Sequence, residues 1–138
     1  MKKLKENRGA AAVEFAIVLP LVLVLLFGII EFSLILYDKA VITNASREGA
    51  RQGIVFDSNL TDLQKTEKAE TVAMNYCQNM ISFSSSSSPA VEAPIVNGIM
   101  TVTVNYTYGF LLFPNLEFAG VTGGGIPISA VTVMRVEQ

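Results

Sequence analysis

Between Phe15 and Ile30 this chain has no polar side chain, and that run limits the folds open to it more than any other feature. Extended back to Ala10, the apolar block covers about 20 residues, roughly 30 Å as a helix, which matches the hydrocarbon core of a bilayer. The block is apolar all round, as a lipid-facing helix is, with no half-buried surface face. Half of all residues are apolar (51%), but much of that excess sits in this one block and does not describe a larger core.

Charge follows the same division. Residues 1–9 carry Lys2, Lys3, Lys5 and Arg8 against Glu6, which leaves six basic and eleven acidic side chains for the rest of the 138-residue chain. A basic tip before an apolar span places the tip in the cytoplasm by the positive-inside rule, and an acidic body argues against nucleic-acid binding. A removable signal peptide fits a basic-then-apolar pattern too. Against it stand a block longer than an ordinary signal core of about 7–15 residues, and Glu14 near its start. The flank Tyr37-Asp38-Lys39 also offers no small-x-small cleavage site.

Glu14 is the most informative residue. A carboxylate inside a bilayer costs on the order of 2.5–3.5 kcal/mol on insertion scales, so it needs a partner, a task, or a position close enough to the interface to snorkel. Glu31 marks the outer end of the block. Pro20, within the span, removes one backbone hydrogen bond and is expected to kink or loosen the helix, which membranes tolerate.

Gly9-Ala10-Ala11-Ala12-Val13-Glu14-Phe15 spells glycine, four residues, glutamate and an aromatic, behind a short basic leader. This resembles the processing site of type IV pilin-like proteins, and of the Flp and TadE-like branch in particular. The resemblance implies cleavage between Gly9 and Ala10 by a prepilin peptidase. Glu14 then becomes the fifth mature residue, Phe15 the sixth and Pro20 the eleventh. It also implies that the acid meets the new amine of a neighbouring subunit, which would relieve the cost of Glu14 if the geometry is good. A second stretch, Arg47-Glu48-Gly49-Ala50-Arg51, is similar to the segment that follows the membrane helix in TadE-like proteins. The tail from Val133 to Glu137 is similar as well. Major Flp pilins end soon after the helix, whereas this chain continues, which points to a minor, pseudopilin-like component; the extra domain of TadG-like relatives has no room here.

Beyond the membrane the helix is expected to run to about Ile54. Ala45, Gly49 and Gly53 recur every four residues as a stripe of small side chains, suited equally to packing within the chain or to contact with another subunit. Arg47 and Arg51 share a face, and Glu48 can pair with Arg51 or with a neighbouring chain. Thr61 and Gln64 form a capping-box signature that opens a second helix over 62–81. Its apolar face is Ala69, Val72, Ala73, Tyr76, Cys77 and Met80, and its wet side Lys65, Glu67, Lys68 and Glu70. The serine run at 84–88 reads as a linker.

After Pro89 the pattern alternates. Residues 91–96 form a strand interrupted by Pro94 and therefore at a sheet edge, Asn97-Gly98 is a two-residue hairpin signal, and 99–108 returns with Met100, Val102, Val104, Tyr106 and Tyr108 on one face. A last strand covers 128–136. Between the last two strands Phe110, Leu111, Leu112, Phe113, Leu116 and Phe118 either fill the core or make an exposed patch for a partner. Gly123-Gly124-Gly125 lacks the lysine and the strand–helix setting of a phosphate loop.

The expected architecture is α+β: a single long N-terminal transmembrane helix extending into a small extracytoplasmic domain of one further helix and a three-stranded antiparallel sheet. The divisions are a basic leader 1–9, a span 10–32, a helix extension 33–56 and a domain 57–138 with its serine-rich linker at 84–90. The chain contains no histidine and no nucleophile elbow, so enzymatic function, metal and cofactors are not expected. Cys77 is the sole cysteine, which rules out an internal disulfide and fits a small core hydrophobe or, less often, a bridge between chains.

The resemblance implies a function in assembly of a tight-adherence (Flp-type) pilus, with processing at Gly9, Ala10, Glu14 and Phe15. Glu14, Pro20, Arg47, Glu48, Gly49 and Arg51 are the candidates for subunit packing. Its partners would be the prepilin peptidase, other pilin and pseudopilin subunits, the assembly platform and membrane lipid, either at the bacterial inner membrane alone or also on the pilus. The alternative is an uncleaved bitopic anchor that presents a periplasmic binding domain.

Overall fold

The structure is a computed structural model that describes residues 2–55, 59–81, 88–111 and 125–136, with backbone only over 2–8. The leader side chains, the serine run apart from Ser88, Leu112, Phe113, Leu116, Phe118, Gly123 and Gly124 therefore lie outside the described residues. The chain divides into two compact units, Met1–Ser33 and Leu34–Gln138.

Helix α1 spans Lys2–Gly53 and contains Pro20 without interruption. Within the first unit its side chains from Val13 to Leu26 are exposed. Residues 9–53 form a helix long and apolar enough to cross a membrane. Glu31, at the outer end of the apolar run, is buried.

In the second unit, helix α2 spans Asp62–Cys77 and opens on the expected capping box. The Thr61 hydroxyl accepts from the Gln64 N–H at 3.4 Å, and the Gln64 side chain accepts from the Thr61 N–H at 2.9 Å. Two otherwise orphaned helix donors are thereby satisfied. The helix ends at Cys77 and not at 81. Gln78, Asn79 and Met80 turn back on Asn75, Tyr76 and Cys77, and side chains of α1 hold the end of this turn. The Tyr37 hydroxyl donates to the Asn79 carbonyl (3.2 Å), while the Ile81 N–H donates to Asp38 (3.0 Å).

The sheet has four strands where the sequence pattern predicts three: β1 (Ala90–Glu92), β2 (Ile95–Val96), β3 (Ile99–Tyr108) and β4 (Ile126–Arg135). β3 is central; β1 and β2 both pair along one side of it and β4 along the other, all antiparallel. The expected strand at 91–96 is split at Ala93-Pro94. Buried Ala93 turns both backbone groups toward α2, donating to Glu70 (3.2 Å) and accepting from Thr66 (3.0 Å). Proline supplies no ladder donor there. The Asn97-Gly98 hairpin forms as expected, with φ of 53° and 72°, the left-handed pair that a type I′ turn requires.

The core lies between the inner sheet face and the two helices. Met100, Val102, Val104, Tyr106 and Tyr108 all face inward from β3, in the expected alternation. Burial of an aliphatic side chain such as Val102 contributes about 1.5–3 kcal/mol before conformational entropy is set against it. Phe110 meets Tyr108 edge to face, with ring centroids 6.0 Å apart. The helices present small residues, Ala45 and Ala50 from α1 and Ala69, Ala73 and Cys77 from α2, which let them approach each other closely. The charge of Lys65 predicts a place on the wet side of α2, but the residue is only 8% exposed. It falls on the buried line Lys65, Ala69, Ala73, Cys77, one helical turn apart each time, where a long aliphatic stem can pack while its ammonium reaches out.

Candidate functional site

Two stretches of α1 carry the residues that the sequence singles out. The first lies at the head of the apolar run. Gly9, Ala10, Glu14 and Phe15 are all exposed and all helical, and a side chain added at Gly9 would meet open space. Ala10 and Glu14 are four residues apart and so lie on one helix face. In the intact chain the Ala10 nitrogen is a neutral backbone amide. Only cleavage before it would create an amine that is charged below a pKa of about 8 and able to pair with a carboxylate. Pro20 lies further along the same helix, where it removes one backbone donor.

The second stretch is Arg47-Glu48-Gly49-Ala50-Arg51, within the Leu34–Gln138 unit. Its residues face two ways. Gly49 and Ala50 are buried, and a Cβ at Gly49 would stand 2.8 Å from the Ala69 carbonyl oxygen and 2.9 Å from the Ala73 Cβ. A Cβ at Gly53 would stand 2.9 Å from that of Ala69, with the Met100 thioether closer still. The stripe of small residues is thus filled from within the chain, by α2 and β3. On the outward side the Arg51 guanidinium grips Glu48 in a fork, Nε to Oε2 at 2.9 Å and Nη2 to Oε1 at 2.7 Å. Gln52 adds a third hydrogen bond to that carboxylate at 2.9 Å. Bonding to Arg51, then to Gln52, holds the Glu48 carboxyl down at about 2 and raises Arg51 above its ordinary value. Arg47 stays exposed with no hydrogen-bond partner among the described residues.

Arg47, Glu48 and Arg51 line an open cleft of about 510 Å³ with Asn44, Tyr76 of α2 and Thr132 and Met134 of β4. Below it, Ser46 bridges α1 to the sheet through the Thr132 hydroxyl at 2.8 Å. Lys39 Nζ donates to the Ser129 carbonyl of β4.

Sequence reasoning missed a buried acid. Asp38 is 0% exposed; one oxygen accepts from the Ile81 N–H, and the other has no hydrogen-bond partner among the described residues. Burial raises its carboxyl above the ordinary 3.8, with the Ile81 N–H pulling the other way. Its neighbours Tyr37 and Lys39 look like a polar helix flank, and only the fold brings the end of α2 against it. Cys77 is buried and free, and burial raises its thiol above the ordinary value. Among the described residues no cluster of acidic or cysteine side chains could hold a metal ion.

No curated protein and no solved structure matches the chain. The family model described as TadE-like protein matches residues 9–51, from the glycine at the head of the apolar helix to the second arginine of the Arg-Glu-Gly-Ala-Arg segment, and over that stretch the chain is similar to that family.

Proposed function

We propose that this protein is a minor pseudopilin-like membrane component in the assembly of a tight-adherence (Flp-type) pilus. A prepilin peptidase cuts it between Gly9 and Ala10. The observation that carries this reading is Glu14, an exposed carboxylate one helical turn beyond Ala10 at the head of an apolar helix, within a segment that matches the TadE-like family. Left in lipid without company, that acid is costly; beside a freed amine it becomes a means of recognition.

The mechanism is structural and not enzymatic. Residues 10–32 span the inner membrane with the leader in the cytoplasm, the helix extends from 33 to Gly53, and the rest of the chain completes an extracytoplasmic domain. The span packs laterally among other pilin-like helices, Glu14 sets the axial register, and Pro20 loosens the helix locally. The outer domain primes or caps the fibre, or holds the assembly platform.

An uncleaved bitopic anchor presenting a periplasmic binding domain is the second reading. One observation favours it: α1 is helical across Gly9 and Ala10, so a protease must unwind that turn before it can cut. Gly9→Leu, expressed in a host with its own peptidase, separates the two. The expected result is loss of processing with membrane insertion intact. A variant still trimmed at the same bond contradicts the processing assignment.

A further inference from the structure

One edge of the sheet is interrupted and the other is half open. On the β1–β2 side the backbone groups of Ala93 are taken by Thr66 and Glu70, and Pro94 has no N–H. On the far side, β4 pairs only with β3 among the described residues. Its hydrogen-bonding phase follows from one bond, Val136 N–H to the Gly98 carbonyl at 2.9 Å, in the register that pairs Arg135 with Ile99. Antiparallel strands alternate, so the even-numbered residues of β4 bond to β3, and Pro127, Ser129, Val131, Val133 and Arg135 turn their backbone groups off the edge.

The first half of that edge is guarded in the way native edges are. Pro127 has no donor to offer, and Lys39 Nζ occupies the Ser129 carbonyl. The second half has no such guard among the described residues. Val131 and Val133 are 59% and 60% exposed, and their outward N–H and C=O groups, like those of Arg135, meet no partner among the described residues. The open cleft runs beside this half, with Thr132 and Met134 on one wall and Arg47, Glu48 and Arg51 on the other. Glu48 is already committed to Arg51, which leaves Arg47 on the cleft side of the open edge and Arg135 on its outer side, neither with an ion-pair partner among the described residues.

We propose that an extended, acidic segment of a partner protein adds to β4 along Val131, Val133 and Arg135 as a further antiparallel strand, with its carboxylates turned into the cleft toward Arg47. Strand addition supplies main-chain hydrogen bonds, and alternate side chains supply selectivity. Residues opposite Val131 and Val133 lie on the outer face of the sheet, where β-branched side chains fit; the residues between them face the cleft and its arginines. A second copy of this chain fits less well. Two-fold pairing of β4 with β4 would set Arg47 and Arg135 of both copies along one seam, and head-to-tail pairing would meet an edge broken at Ala93-Pro94. The open edge lies wholly within the Leu34–Gln138 unit, so strand addition stands or falls independently of cleavage at Gly9.

The test uses the full chain in nanodiscs and a fluorescent peptide of alternating valine and glutamate, read by anisotropy. Binding is expected to be at least about tenfold tighter than for a valine–lysine peptide, and to weaken with salt. N-methylation of the peptide's valines, whose N–H groups would face β4, is expected to cost about tenfold or more; N-methylation of its glutamates is expected to cost little. Val133→Pro removes an outward donor that β3 does not use, so the fold tolerates it and the peptide is lost. Equal binding of the two N-methylated peptides, or equal binding of the lysine peptide, overturns strand addition by an acidic partner. Concentration-dependent dimerisation of the chain alone that Val133→Pro abolishes overturns it too, and assigns the edge to a second copy.

Discussion

Replacing Gly49 probes the packing that holds the second unit together. The glycine faces α2 so closely that an ideal Cβ would stand 2.8 Å from the Ala69 carbonyl oxygen and 2.9 Å from the Ala73 Cβ. Neither atom is the end of a flexible side chain, so neither can swing aside, and a substitution has to push the helices apart. Alanine recovers about 0.8–1 kcal/mol of helix propensity and loses about 1–3 kcal/mol to overpacking, for a net cost of roughly 0–2 kcal/mol. Leucine makes the same propensity gain but adds three further carbons to a gap too small for one, so its net cost is about 3 kcal/mol or more. For a unit of this size 1 kcal/mol corresponds to roughly 4–8 °C, which puts the leucine variant at least about 12 °C below the parent. Cys77, buried and the sole cysteine, serves as the reporter: thiol labelling of the full chain in micelles during heating reads the opening of this core. Gly28→Ala, where an added Cβ meets nothing within 4 Å, is the control and is expected to leave that temperature unchanged. A Gly49→Leu protein that opens with the parent would refute the close approach of α1 and α2.

Three further outcomes are expected from local geometry. Thr61→Ala removes one half of the capping box and is expected to cost about 0.5–2 kcal/mol in urea unfolding, with Thr61→Ser recovering most of it. Gly98→Ala forces a side chain into the left-handed region at φ 72° and is expected to cost about 1–2 kcal/mol, without altering the Ile99–Tyr108 register seen by amide exchange. Asp38 is expected to give the unit a pH dependence of definite sign. Its folded carboxyl lies above the ordinary 3.8, so the folded chain holds the proton more tightly than the unfolded one. That contribution is fully present below 3.8 and is lost as pH rises through the raised value. Across that window the urea midpoint should fall more steeply with rising pH for the parent than for Asp38→Asn; parallel slopes would contradict the assignment.

The features legible in the sequence are those in which a few neighbouring residues decide the outcome. Thr61 and Gln64 meet within a single turn, Asn97-Gly98 needs no help to adopt two positive φ angles, and the alternation from Met100 to Tyr108 states its own buried face. The apolar run at the head of α1 is legible because lipid imposes one rule on every position. The features that are not legible depend on residues far apart in the chain. The split between β1 and β2 arises because Thr66 and Glu70 claim the backbone of Ala93, a contact across more than twenty positions. α2 ends early because Tyr37 and Asp38 take hold of Asn79 and Ile81. Lys65 is buried because its stem shares a line with Ala69 and Ala73, whereas its charge alone assigns it to water. In the Arg-Glu-Gly-Ala-Arg segment the motif itself is plain, but its division is not: glycine and alanine turn inward to α2, arginines outward to the cleft.

The bond between Gly9 and Ala10 decides the pseudopilin account, and the intact mass of the protein extracted from membranes of cells that carry a prepilin peptidase tests it most directly. The expected species begins at Ala10, with a free α-amine one helical turn before Glu14. A protein whose mass retains all nine leader residues would contradict that account and leave a tethered outer domain in its place.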